Sequence, residues 1–162
     1  TAGQAEGRPL EDMKPVPRTA RHFTPLLNNS LVRDLDDMKG YVAKGSTQIV
    51  DARPKARFEG TEPEPRPGLR AGHIPGSKNV PSAAILNVDG TLKSKAELEK
   101  IFADAGIDPV KPVVTTCGSG VTASMLSLAL AVIGQTNAAV YDGAWAEWGQ
   151  EQLDTPVATG PA

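Results

Sequence analysis

The chain's one cysteine, Cys117, lies in the segment Val113-Val114-Thr115-Thr116-Cys117-Gly118-Ser119-Gly120-Val121-Thr122-Ala123. A β-branched run ending in a cysteine, followed by two glycines and an apolar helical stretch, describes a strand delivering a side chain into a tight loop at a helix start. Such a position favours a sulfur anion, because loop N–H groups, the unpaired amides of the first helical turn and the helix dipole converge there. Gly118 and Gly120 supply curvature and keep side chains away from the anion. The segment therefore predicts an anion nest formed by Gly118, Gly120, Val121 and Thr122 around a nucleophile, Cys117. Ser119 places a hydroxyl two residues on, within reach of the sulfur or a substrate for proton transfer, although a serine here also suits helix capping. Thr122 is equally suited to cap.

Arg57 and Arg66 are the candidates for holding a substrate, since a guanidinium fork matches a planar carboxylate and stays charged at any working pH. On the residues alone this reading stands level with salt bridging to Glu59, Glu62 or Glu64. Pro63, Pro65 and Pro67 stiffen the segment that carries Arg66 and reduce the entropy lost in holding it. Asp51 at a strand end and Arg53 just after it suggest a structural ion pair. His22 and His73 are each isolated, so no Cys/His spacing suits a metal, and the chemistry calls for no cofactor.

Bulk properties narrow the setting. With 162 residues, 40% of them hydrophobic, and a net charge of −2, the chain has room for one domain with a real core and gives no basis for a nucleic acid partner. No apolar run approaches the ~18 residues of a membrane span, and no charged-then-apolar leader pattern opens the sequence. A lone functional thiol cannot form an internal disulfide and fits a reducing, cytoplasmic compartment.

The elements that must hold these groups follow from periodicity. Residues 1–29, broken by Pro9, Pro15, Pro17 and Pro25, read as linker. The domain proper is expected over 30–152, with a tail at 153–162. Leu35, Met38 and Val42 share a helical face that ends near Gly45; Gln48–Asp51 is a short buried strand; Lys55–Glu59 makes one or two helical turns. Lys78–Val80 is a weak strand and Ser82–Leu86 a short helix. Ser94 and Glu97 form a capping-box pattern before a helix carrying Leu98, Ile101 and Phe102. Val113–Thr116 is the clearest strand, Val121–Ile133 an apolar helix, Ala138–Tyr141 another strand, and Trp145 and Trp148 lie on one side of a short helix. The alternation predicts an α/β fold with a mainly parallel central sheet and helices on both faces, whose ligands bind at the carboxyl ends of strands.

Several separated segments, taken in order, resemble the rhodanese-type sulfurtransferases, and within them the C-terminal catalytic half of the 3-mercaptopyruvate sulfurtransferases. They are Val50-Asp51-Ala52-Arg53 with Arg57-Phe58, Gly60-Thr61-Glu62-Pro63-Glu64-Pro65-Arg66, Gly72-His73-Ile74-Pro75-Gly76-Ser77-Lys78-Asn79, the Cys117 loop, and Tyr141-Asp142-Gly143-Ala144-Trp145-Ala146-Glu147-Trp148. The resemblance implies a single rhodanese-like domain in which Cys117 takes a sulfur atom from 3-mercaptopyruvate, becomes a persulfide and passes the sulfur to a thiol or cyanide. It places Arg57 and Arg66 at the substrate-binding positions and reads His73 as part of a structural turn. It also implies an N-terminal rhodanese-like domain as partner, absent from this chain. The neutral Gly118-Ser119 matches the mercaptopyruvate type, whereas thiosulfate-preferring members tend to carry basic residues after the cysteine. Cysteine phosphatases share the strand-loop-helix layout but need an arginine where Ala123 stands. The remaining alternative is a non-catalytic rhodanese-like binding module or an inactive isolated half.

Overall fold

The computed structural model describes residues 2–9, 19–26 and 28–162. The first of these carry a short helix, α1 (Ala2–Ala5). The rest of the described stretch before Asn29 has neither helix nor strand, and Pro15 and Pro17 lie outside the described residues. Strand β1 (Val32–Arg33) leads into helix α2 (Leu35–Lys44). The Asp34 carboxylate accepts from the Asp37 N–H at 2.9 Å and the Asp37 carboxylate from the Asp34 N–H at 3.3 Å, a capping box that fixes the helix start. Gly45, at φ 59°, ends it in the left-handed conformation that glycine adopts without penalty.

Strands β2 (Gln48–Asp51), β3 (Lys78–Asn79), β4 (Val113–Thr116) and β5 (Ala139–Tyr141) join β1 in a five-stranded parallel sheet of order β1-β5-β4-β2-β3. Every pairing is parallel, with Asp51 level with Thr116 and Val114 level with Ala139. Strand β4 is flanked on both sides and all four of its residues are buried, as its unbroken β-branched run predicts for an inner parallel strand.

Helices cover both faces. On one, Val50 and Val113 pack with Leu98 and Phe102 of α4 (Lys95–Asp104) and with Leu126 and Leu130 of α5 (Val121–Val132). On the other, Ile49, Val114 and Tyr141 pack with Met38 of α2 and with Trp145 and Trp148 of α6 (Ala144–Trp148). The two tryptophans expected to pack against the domain are fully buried there. A short helix, α3 (Lys55–Glu59), follows β2 and carries Arg57.

Residues 153–162, expected as a tail, are stitched to the domain through backbone groups. His73 and Ala158 exchange N–H to carbonyl bonds of 2.8 and 3.0 Å, and the Arg70 guanidinium donates to the Thr155 carbonyl at 2.7 Å and the Trp148 carbonyl at 2.9 Å. The Trp148 indole N–H donates to the Pro156 carbonyl at 2.8 Å. Carbonyls accept whatever side chain they carry, so apolar periodicity holds no trace of this docking.

Candidate active site

Cys117 leaves the carboxyl end of the inner strand β4 and opens the loop into α5. Its side chain is 1% exposed, yet it lines a cleft of about 280 Å³, at the small end of the range for small-molecule sites. Arg57, Arg66, Gly118, Ser119, Val121 and Thr122, all expected at the site, line the same cleft. Gly120, also expected there, stands outside the lining. Its φ of 85° turns the loop, and a Cβ would meet the Asp142 carbonyl at 3.0 Å.

Helix α6 fixes which way the loop's peptide groups face. The Trp145 N–H donates to the Cys117 carbonyl at 2.9 Å and the Ala146 N–H to the Gly118 carbonyl at 3.0 Å. In a trans peptide the C=O and N–H point in opposite directions, so holding these two carbonyls toward α6 turns the Gly118 and Ser119 N–H groups away from it. Together with those of Gly120, Val121 and Thr122, these amides donate to no protein acceptor among the described residues. That leaves a row of unused donors in the loop that Cys117 opens. The clamp rests on a strained residue: Ala144, fully buried, has φ 53° and is the only non-glycine residue with positive φ among those described.

Neither hydroxyl caps α5, whose N-cap, Gly120, offers no side chain. Ser119 is exposed and makes no hydrogen bond to protein among the described residues, so its hydroxyl is available to a ligand. Replacing Gly120 by alanine tests the loop directly. With Cβ forced to positive φ against Asp142, sulfur loading onto Cys117 is expected to slow by roughly 10²-fold, the effect of misplacing reacting groups by about 1 Å. Unchanged loading by Gly120→Ala, followed by intact mass, would refute this role.

Charge at the cleft is arranged around Glu64, whose side chain is 2% exposed. It accepts from Arg53 Nη1 at 2.8 Å and from Arg57 Nε at 3.1 Å, with a further short contact to Arg57 Nη2. Arg53 in turn pairs with the fully buried Asp51 at 2.7 Å, as expected of a structural ion pair, and donates to the Gly72 carbonyl at 2.8 Å. Its guanidinium carbon sits 4.3 Å from the centroid of the Trp145 ring, linking the ion cluster to the helix that clamps the loop. The Glu64 hydrogen bond raises the Arg57 pKa further above its ordinary value, burial opposes it, and Asp51 and Cys117 add smaller upward contributions. Arg57 is salt-bridged, as one of the two sequence readings has it, and it also lines the cleft. Arg66 is exposed and makes no ion pair or hydrogen bond among the described residues.

His73 stands apart from the cleft. Its Nδ1 lies 2.8 Å from the Phe58 carbonyl and its ring stacks on Phe58 with centroids 3.8 Å apart, a structural placement. Sequence reasoning did not single out Glu64, offered only as one of three carboxylates near the arginines, nor the Ala144–Ala146 backbone. The one local signal for Glu64 is its position between Pro63 and Pro65, which limits where its carboxylate can go.

A cysteine at the end of an inner parallel strand, in a loop that shares a cleft with arginines, points to the class. A family profile described as the rhodanese-like domain matches residues 34–151, and the chain belongs to the rhodanese family. It is 45% identical over 135 residues to the 3-mercaptopyruvate sulfurtransferase of Escherichia coli K12, covering 83% of this chain and 47% of that protein. It is 41% identical to the thiosulfate sulfurtransferase of Rattus norvegicus, over 88% of this chain and 48% of the other. The crystal structure of SseA from Escherichia coli, described as a 3-mercaptopyruvate sulfurtransferase with the rhodanese fold, superposes with a TM-score of 0.73 at 38% identity, over 89% of this chain and 53% of that one. The chain thus spans about half the length of these relatives. Among the described residues no helix is long and apolar enough to cross a membrane.

Proposed function

We propose that this chain moves a sulfur atom from 3-mercaptopyruvate to a thiol or cyanide acceptor through a persulfide on Cys117, releasing pyruvate. The observation that carries the reading is the cleft's charge. Among the described residues Arg66 lines the cleft with no carboxylate partner, and it shares the cleft with Cys117 and residues of the loop whose amides are unused. A monoanionic carboxylate matches this unpaired guanidinium.

In the proposed cycle the donor carboxylate sits on Arg66 with Arg57 beside it, and the donor sulfur faces Cys117. The Cys117 thiolate attacks that sulfur, an S–S bond forms, and the C–S bond breaks with its electron pair passing to carbon as the enolate of pyruvate. Ser119 delivers a proton to that carbon and takes up the one that the donor's S–H gives up, so pyruvate leaves and the loop amides hold the persulfide anion. An acceptor thiolate or cyanide then takes the outer sulfur and Cys117 leaves as thiolate. The 3-mercaptopyruvate sulfurtransferase relatives support this donor, and a reducing, cytoplasmic setting suits the free thiol.

Thiosulfate is the competing donor, favoured by the rat relative of similar identity, but a dianion finds no basic side chain at Gly118 or Ser119. An accompanying rhodanese-like domain belongs to the same proposal. The chain spans about half of its relatives, and Val121, Leu128 and Val132 expose an apolar stripe on α5 that begins at the cleft.

Arg66→Gln tests the reading through steady-state kinetics with 3-mercaptopyruvate. Losing one charge-assisted contact is expected to raise KM about 10- to 100-fold with a smaller change in kcat. An unchanged KM, or unaltered protein that turns over thiosulfate faster than 3-mercaptopyruvate, would overturn it.

A further inference from the structure

We propose that Glu64 sets the charge of the sulfur donor, holding the cleft to a monoanion; this rests on the persulfide reading above. Three arginines, Arg53, Arg57 and Arg66, line the cleft, and three uncompensated guanidinium groups there would favour a dianion. Two carboxylates change that balance. Asp51 compensates Arg53 from beneath, and Glu64, itself in the lining, compensates Arg57. Among the described residues Arg66 is left without a carboxylate, to face the donor beside the Cys117 thiolate.

Glu64 is built for this task. Its side chain is 2% exposed and both of its oxygens are engaged by guanidinium groups, so it cannot swing out to solvent. Its neighbours Pro63 and Pro65 restrict the backbone that presents it. The Arg57 side chain, 23% exposed, lies between Glu64 and the cysteine loop, close enough that a Cβ on Gly118 would sit 3.0 Å from its Nη2. Glu64 therefore weakens the field of Arg57 at the point where a donor's second negative charge would lie.

The donors compared are 3-mercaptopyruvate, which carries one negative charge, and thiosulfate, which carries two. Loading by the second breaks its S–S bond, and sulfite leaves with the electron pair as the new S–S bond to Cys117 forms. The rate ratio of the two donors is measured by intact mass for the unaltered chain, Glu64→Gln and Glu64→Asp, so intrinsic donor reactivity cancels between proteins. Glu64→Gln is expected to shift the ratio toward thiosulfate by at least about tenfold, the effect of one extra charge interaction in a partly screened cleft. Glu64→Asp, which keeps the charge, is expected to keep the original ratio even if both rates fall. A Glu64→Gln ratio within about twofold of the unaltered chain overturns the proposal, because a loss of packing alone slows both donors alike. If Glu64→Gln does not fold, Arg57→Gln replaces it. Arg57→Gln takes one positive charge from the cleft and leaves Glu64 paired with Arg53 alone, so it is expected to shift the ratio at least about tenfold toward 3-mercaptopyruvate, and no shift overturns the proposal. Unaltered chain that loads sulfur from neither donor overturns the persulfide reading and this inference with it.

Discussion

Cys117→Ser is expected to gain no sulfur from either donor and to lower turnover with cyanide by a factor on the order of 10⁴ or more, as removal of a nucleophile does. A serine hydroxyl in the same nest stays protonated and forms no S–S bond, and the chain has no second cysteine to take its place. The fold is expected to survive. Cys117 is nearly enclosed in the apolar cluster with Val113, Ala123 and Leu126, so a hydroxyl there costs at most about 1–3 kcal/mol, and less where a loop amide donates to it, below what unfolds a domain of this size. Thiocyanate formation read beside a circular dichroism spectrum separates the two effects. Residual turnover within tenfold of the unaltered chain would contradict the assignment.

Arg53→Ala is expected to destabilise the domain by about 3–5 kcal/mol, the penalty for removing one partner of a buried ion pair. Asp51 would be left fully buried without its cation, Glu64 would lose one of two partners, and the Trp145 ring would lose the guanidinium over its face. A chain of this length loses about 2–4 °C of Tm for each kcal/mol, so the fall in Tm is expected to reach roughly 6–20 °C. Urea unfolding measures it. A loss below about 1 kcal/mol would show that the cluster contributes little, and that the clamp of α6 on the cysteine loop is held by Trp145 packing alone.

The parts of this protein legible in the sequence are those whose physics is local. The cysteine loop announces itself because a β-branched run, two glycines and a helix start must lie within a few residues of one another to build an amide nest. The start of α4 follows from side chains that bond to backbone three residues away, Ser94 with Glu97, whereas the same arrangement of Asp34 with Asp37 at α2 was not read from the sequence. Strand β1 escaped because it is two residues long on a sheet edge, with Val32 45% exposed, so no burial pattern marks it. Arg57 stayed open between salt bridge and substrate contact because both uses want the same side chain. Only the fold brings Glu64 to one side of it and the cleft to the other. The clamp from α6 was equally invisible, since Trp145 and Ala146 hold the loop through backbone N–H groups that any residue but proline would offer.

The measurement that bears most directly on the whole account is the intact mass of the pure chain after incubation with 3-mercaptopyruvate, beside a Cys117→Ser control. The account predicts a gain of one sulfur atom on Cys117, reversed by a thiol reductant and absent from the control. A chain that gains nothing, or gains sulfur in the control as well, would contradict it.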